Sequence, residues 1–146
     1  MSLRELYQEM IIDHGKSPRN FGKLDHASHL QVGHNPLCGD RLVIYIEENN
    51  GIVDKIRFEG TGCAISVASA SLMTEAAMGK SVQEVENLFS RFHQLVTTGE
   101  TMDDLGKLVV FAGVAAFPIR VKCATLPWHT LKAALRSSSN DSVSTE

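Results

Sequence analysis

The sequence is poor in three features that direct proteins to particular tasks: excess basic charge, long apolar runs and cysteine. Its 14 Lys and Arg are outnumbered by 17 Asp and Glu, for a net charge of −3, whereas binding nucleic acid needs a basic face that neutralises phosphates. No apolar run approaches the roughly 20 residues that cross a bilayer, and the first residues lack the apolar stretch of a signal peptide. We therefore expect a cytoplasmic protein that binds neither nucleic acid nor a membrane.

The three cysteines are the residues most able to bind metal or to react. An odd number of cysteines cannot pair completely, and disulfides do not persist in a reducing cytoplasm. The thiols are therefore free, bound to metal or reactive.

Two segments have the alternating apolar pattern of strands, 41–48 and 52–59. Asn50 and Gly51 lie between them and favour the positive φ angles of a tight hairpin turn. Ahead of the first strand, turn-forming residues predict an irregular loop from 16 to about 33. The expected sheet is small and antiparallel, with one solvated face.

Helices are predicted from apolar residues at three- and four-residue spacing. The predicted helices cover 3–14, 64–78, 82–96, 103–115 and 125–135. A chain of 146 residues has room for one core. We expect a single α+β domain over 1–136, with the sheet packed against several helices, and a disordered polar tail over 137–146.

All three cysteines lie at predicted junctions between elements. Cys38 precedes the first strand and stands two positions before Asp40, with Gly39 allowing the turn between them. Cys63 and Cys123 each directly precede a predicted helix, whose macrodipole would favour the thiolate. Three thiolates and a carboxylate suit the tetrahedral preference of zinc, and this soft donor set also suits iron-sulfur chemistry.

Basic residues accompany these candidate ligands. Arg41, Arg120 and Lys122 could offset the negative charge of such a site through hydrogen bonds to the ligands. The separations between the cysteines match no local zinc signature, so spacing alone leaves open that the cysteines are small buried apolar residues. Among the six histidines, the roles of His14 and His129 stay open.

Four separated motifs carry a resemblance to a known family. They are DHGKSPRNFG at 13–22, NPLCGD at 35–40, FEGTGCAIS at 58–66 and KC at 122–123. In this order they resemble the motifs of the IscU/NifU-N superfamily of iron-sulfur cluster assembly, and the resemblance spans about residues 3–135. The segment RVKCATLPW at 120–128 is similar to the SufU type, because typical IscU scaffolds carry histidine where Lys122 stands.

The resemblance implies a function and a set of ligands. Cys38, Asp40, Cys63 and Cys123 would hold zinc, and Cys38 would accept persulfide sulfur from a SufS-type, pyridoxal-phosphate cysteine desulfurase and pass it to a downstream iron-sulfur scaffold. Such a protein is a sulfurtransferase-type relay that acts only with its desulfurase. One alternative is an assembly scaffold that builds a transient iron-sulfur cluster on the same residues. A second is a module in which zinc only stabilises the fold.

Overall fold

The computed structural model describes residues 2–101 and 103–136, together with the backbone of Val143 and Ser144. The strands are β1 (His29–Asn35), β2 (Asp40–Asn49), β3 (Ile52–Thr61) and β4 (Val143–Ser144). The helices are α1 (Leu3–Lys16), α2 (Ala64–Ala77), α3 (Val82–Thr98), a 3-10 helix (Gly106–Ala116) and α4 (Pro118–Arg136). The α+β class is confirmed.

The sheet has the strand order β3-β2-β1-β4. The β2–β3 hairpin is confirmed, and Asn50 and Gly51 at its tip have φ angles of 52° and 79°, the positive values that a type I′ turn requires. Both neighbours of β2 run antiparallel to it, whereas β4 pairs in parallel with β1 over two residues. The backbone of β4 lies within the predicted tail, the remainder of which is outside the described residues.

Strand β1 begins at His29, so the irregular loop predicted from 16 to about 33 is wrong over its last residues, whereas 17–28 form neither a helix nor a strand. Its buried positions are Gln31, Gly33 and Asn35, which are polar or lack a side chain. The apolar alternation that identifies a strand is therefore missing from its buried face. Backbone pairing with β2 holds β1 in place, from His29 opposite Ile46 to Asn35 opposite Asp40.

The core lies between one face of the sheet and the helices. The sheet contributes Ile44, Ile46, Ile56 and Phe58. The helices contribute a stack of aromatic rings, in which Phe92 lies 4.7 Å from Trp128 between ring centroids. Among the described residues, no helix is long and apolar enough to cross a membrane.

The last two predicted helices differ from the structure. The segment predicted as a helix over 103–115 forms the 3-10 helix, and α4 begins at Pro118 rather than near 125. Proline is favoured at the first position of a helix, where its missing N–H costs nothing. The second proline, Pro127, lies inside α4 and does not start it. This shift changes the environment of Cys123.

Candidate metal centre

Cys38 lies on the tight turn that joins β1 to β2. Its N–H donates to the backbone oxygen of Asn35 over 3.2 Å, and the N–H of Leu37 donates to Asn35 Oδ1 over 3.2 Å. Gly39 follows with a φ angle of +70°, a conformation that residues with a Cβ rarely adopt. The turn therefore places Cys38 just before Asp40, the first residue of β2.

Cys63 and Asp40 are joined across the gap between the sheet and α2. Cys63 is the N-cap of α2, as predicted, and its N–H donates to Asp40 Oδ1 over 2.8 Å. The Cys63 Sγ lies 3.9 Å from Asp40 Oδ2. A Cβ on Gly62 would lie 2.7 Å from Ser66 Oγ and would collide with Asp40 Oδ1, so only glycine allows this close approach.

Cys123 completes a compact group of donor atoms with the turn residues. One donor atom each from Cys38, Asp40 and Cys123 lie within 4.8 Å of one another, and the Cys38 and Cys123 sulfurs are 3.1 Å apart. Cys63 lies outside that group of three, although it contacts Asp40. Residues that are far apart in the sequence are thus brought together at one site.

The environment of Cys123 differs from the one predicted for it. Because α4 begins at Pro118, Cys123 lies inside the helix and not ahead of it, and it is only 2% exposed. Burial raises the pKa of the Cys123 thiol, and hydrogen bonds with Cys38 and Asp40 raise it further. Cys123 therefore lacks the position ahead of a helix N-terminus that was predicted to favour its thiolate.

The three cysteines open into a groove of about 830 Å³ between α1, the 3-10 helix and α4. Its walls are largely apolar, with Tyr7 and Ile11 from α1 and Val110 and Val114 from the 3-10 helix. Three large apolar side chains in the lining of the groove are exposed: Ile12, Phe117 and Ile119. Leu37, which directly precedes Cys38 in the chain, is also 61% exposed. An exposed apolar rim of this kind marks an interaction surface.

The predicted basic residues occupy different positions around the group. Arg120 lines the groove, with its guanidinium 5.0 Å from the centre of the Phe117 ring. Lys122 is half-buried on α4, whereas Arg41 is exposed on β2. In the described part of the chain, no hydrogen bond or ion pair joins these three residues to the cysteines or to Asp40.

Asn35 is a member of this site that was not predicted from the sequence. Asn35 is fully buried, and its Nδ2 donates to the Cys123 Sγ over 3.6 Å. The available signal was an asparagine just before Pro36 in the loop that carries Cys38, because asparagine side chains commonly bond to backbone groups two residues on.

His14 and His129, whose roles could not be predicted from the sequence, lie outside the cysteine group. His14 is buried at the end of α1, where its Nδ1 lies 2.7 Å from Ser71 Oγ, and the Arg19 N–H donates to the same oxygen over 2.8 Å. His14 thus ties α1 and the following loop to α2. His129 packs against the Phe89 ring with centroids 5.0 Å apart, and burial lowers its pKa.

The donor chemistry fits a divalent metal ion. Three thiols and one carboxylate match the tetrahedral ligands of zinc in number and type. Two of the three cysteines are only half-buried, at the floor of a groove, which is unlike the deep packing of a cysteine that serves as a small apolar residue. Fold and site together define a class: small α+β proteins that gather cysteines and an aspartate from separate elements at one surface groove.

The chain belongs to the NifU-like N-terminal domain family, whose sequence model matches residues 6–124. It is 40% identical over 140 residues to the iron-sulfur cluster assembly scaffold protein IscU of Streptococcus pyogenes, covering 94% of this chain and 87% of that protein. It is 41% identical over 133 residues to the zinc-dependent sulfurtransferase SufU of Bacillus subtilis, covering 90% of each. The resemblance to the IscU/NifU-N superfamily is confirmed.

A solved structure supports the same assignment. SufU from Fervidobacterium islandicum AW-1 is similar to this chain with a TM-score of 0.84 and 34% identity, over 92% of this chain and all of the other. The fold prediction is therefore confirmed by comparison as well as by the strands and helices. Relatives of both kinds, scaffold and sulfurtransferase, have similar identity to this chain.

Proposed function

We propose that this protein is a zinc-dependent sulfur acceptor, which takes persulfide sulfur from a cysteine desulfurase for iron-sulfur cluster assembly. The observation that carries this proposal is the gathering of Cys38, Asp40 and Cys123, with Cys63 against Asp40, beside an apolar groove that the three cysteines line. The similarity to the Bacillus subtilis zinc-dependent sulfurtransferase supports it. Cytoplasmic localisation is part of the proposal.

Cys38, Asp40, Cys63 and Cys123 are the proposed zinc ligands. Bound zinc would supply a positive charge that keeps the thiols deprotonated at neutral pH. The buried Cys123 depends most on that charge, because burial favours its neutral thiol. Arg120 and Lys122, near the same end of α4, would lower the electrostatic cost of a site with three thiolates and a carboxylate.

Cys38 is the proposed sulfur acceptor because its position allows movement. It lies on a turn beside Gly39, whose surroundings would leave an added Cβ in open space. Cys123 is held inside α4, and the backbone of Cys63 is held by Asp40. Of the three cysteines, Cys38 alone lies on a turn next to an exposed apolar residue, Leu37.

The proposed transfer needs no external oxidant or reductant. The Cys38 thiolate attacks the terminal sulfur of the desulfurase persulfide, forming a new sulfur–sulfur bond on Cys38. The bond between that sulfur and the desulfurase cysteine breaks, and the desulfurase cysteine leaves as a thiolate. The product is a persulfide on Cys38, which a downstream iron-sulfur scaffold would accept by the same exchange.

The proposed partner is a pyridoxal-phosphate cysteine desulfurase of the SufS type. Its persulfide must reach Cys38 in the groove, so the partner has to contact the exposed apolar side chains that line it, Ile12, Phe117 and Ile119. Burying exposed apolar side chains favours association. Docking of this kind would bring sulfur to Cys38 and exclude other thiols.

The second candidate function is an assembly scaffold that holds a transient iron-sulfur cluster. The similarity to IscU of Streptococcus pyogenes favours it, and thiolates suit iron as well as zinc. Lys122 weighs against it, because typical IscU scaffolds carry a histidine at the position before the last cysteine. Lysine at this position supplies a charge and no ligand at neutral pH.

The test combines metal analysis with desulfurase assays on the wild type, Cys38→Ser and Asp40→Ala. Near-stoichiometric zinc, with stimulation of the desulfurase that Cys38→Ser abolishes, supports the sulfur acceptor. Iron and sulfide at the site without stimulation favour the scaffold. If each ligand variant only unfolds the protein to the same extent, zinc stabilises the fold and the proposed transfer is wrong.

A further inference from the structure

Asn35 makes three hydrogen bonds that join the turn of Cys38 to the helix of Cys123. Its side-chain oxygen accepts the N–H of Leu37 and its backbone oxygen accepts the N–H of Cys38, both over 3.2 Å. Its side-chain nitrogen donates to the Cys123 sulfur over 3.6 Å. Asn35 also lies directly opposite Asp40 in the pairing of β1 with β2, so it adjoins three of the four proposed ligands.

The orientation of the Asn35 amide follows from its partners. The Leu37 N–H can only donate, so the atom that it meets must be the amide oxygen, and the NH₂ group then points at Cys123. Asn35 is fully buried, where water cannot replace a missing partner and a lost hydrogen bond carries the full desolvation cost. The amide is therefore held in one orientation.

We propose that Asn35 is a positioning residue for the metal site, which holds the Cys123 sulfur in place and withdraws charge from it. This inference rests on the proposed metal site. A hydrogen bond to a thiolate stabilises the sulfur lone pairs, making that sulfur a weaker nucleophile. Cys38 receives no such side-chain bond from Asn35. The difference leaves Cys123 as a permanent ligand and Cys38 as the sulfur that reacts.

The test replaces Asn35 with serine in the full chain and measures cobalt(II) binding. Serine can still accept the Leu37 N–H, but its side chain is too short to reach the Cys123 sulfur. We expect metal affinity to fall about tenfold, as for other groups that hydrogen-bond to ligands. The sulfur-to-cobalt charge-transfer band should move to longer wavelength, because the sulfur lone pairs rise in energy. Asn87→Ser is the matched control, since Asn87 is exposed on α3.

A second variant protects the test against loss of the fold. Asn35→Asp has the same shape and keeps the acceptor for Leu37, but it replaces the amide donor with a carboxylate. At mildly alkaline pH it should shift the band in the same direction as Asn35→Ser. Thermal unfolding of the metal-free proteins shows which variants have folded.

The outcomes separate this inference from the function on which it rests. A band shift and weaker binding in the Asn35 variants, with Asn87→Ser like the wild type, support the positioning role. If the wild type binds cobalt and a folded Asn35 variant has the same band and affinity, the role of Asn35 is refuted and the metal site stands. If the wild type gives no thiolate–cobalt band, the metal site is wrong and this inference with it.

Discussion

Replacing Asp40 in the metal-free protein tests how β2 is joined to α2. Asp40 is buried, and its Oδ1 accepts the N–H of Cys63 over 2.8 Å. The N-cap side chain of α2 makes no capping hydrogen bond of its own, so Asp40 provides a side-chain acceptor at this helix start. A hydrogen bond to a charged group contributes about 1.5–3 kcal/mol. We expect Asp40→Ala to lower the free energy of unfolding by about 2 kcal/mol, near the middle of that range.

The comparison with Asp40→Asn gives this prediction its specificity. Asparagine keeps an oxygen that accepts the Cys63 N–H. Asp40→Asn should therefore lower the free energy of unfolding by less than about 1 kcal/mol, the value of a neutral hydrogen bond. In a domain of this size, about 2 kcal/mol corresponds to a melting temperature lower by about 4–8 °C. Thermal unfolding of chelator-treated protein measures both variants, with Asp25→Ala as the exposed control. Equal losses for alanine and asparagine would show that the bond to Cys63 is not what Asp40 contributes.

Three further predictions concern the fold around the site. Burial lowers the pKa of His14. As the pH falls, the unfolded chain therefore binds a proton at His14 before the folded protein does. Stability should fall as the pH drops below the unfolded pKa of about 6.5, and melting between about pH 7.5 and 5.5 should change less in His14→Asn. A Cβ on Gly33 would collide with Thr130 Oγ1, so urea unfolding of Gly33→Ala should show a loss of about 1–3 kcal/mol. Gly113→Ala, where a Cβ meets nothing within 4 Å, is its control and should be close to neutral. Ser81→Ala removes the side-chain acceptor for the Glu84 N–H in the α3 capping box and should cost about 1 kcal/mol by the same assay.

The hairpin and the start of α2 could be predicted because their determinants are local. Asn50 and Gly51 set the turn between two alternating strands, and Gly62 separates the end of β3 at Thr61 from the N-cap of α2 at Cys63. Strand β1 could not be predicted in this way. Its buried positions make close contacts with α4: Gly33 leaves room for the helix, and Asn35 hydrogen-bonds to Cys123. Because these positions are determined by tertiary contacts, the sequence of β1 has no alternating apolar pattern.

The start of α4, which carries Cys123, also could not be predicted from the local sequence. Pro118 and Pro127 are both compatible with a helix start, and the choice between them is made by packing. Inside the helix, Pro127 lacks the N–H that would bond to the carbonyl of Cys123, four residues earlier. The burial of α4 outweighs that loss, and Cys123 is consequently buried within the helix. The candidate ligands themselves were recognised from motifs, whereas the buried amide beside them depends on the folded chain.

The dispersal of the donor residues over the fold bears on the order of events during protein synthesis. Cys38, Asp40 and Cys63 come from the first half of the chain, whereas Cys123 is on the last helix. A ribosome-bound chain that lacks α4 has no buried thiol to close the site. Capture of the proposed metal ion would therefore be a late event, in contrast to zinc fingers, in which neighbouring ligands bind metal and drive folding together. Acquisition of the ion would report that the whole domain has been assembled.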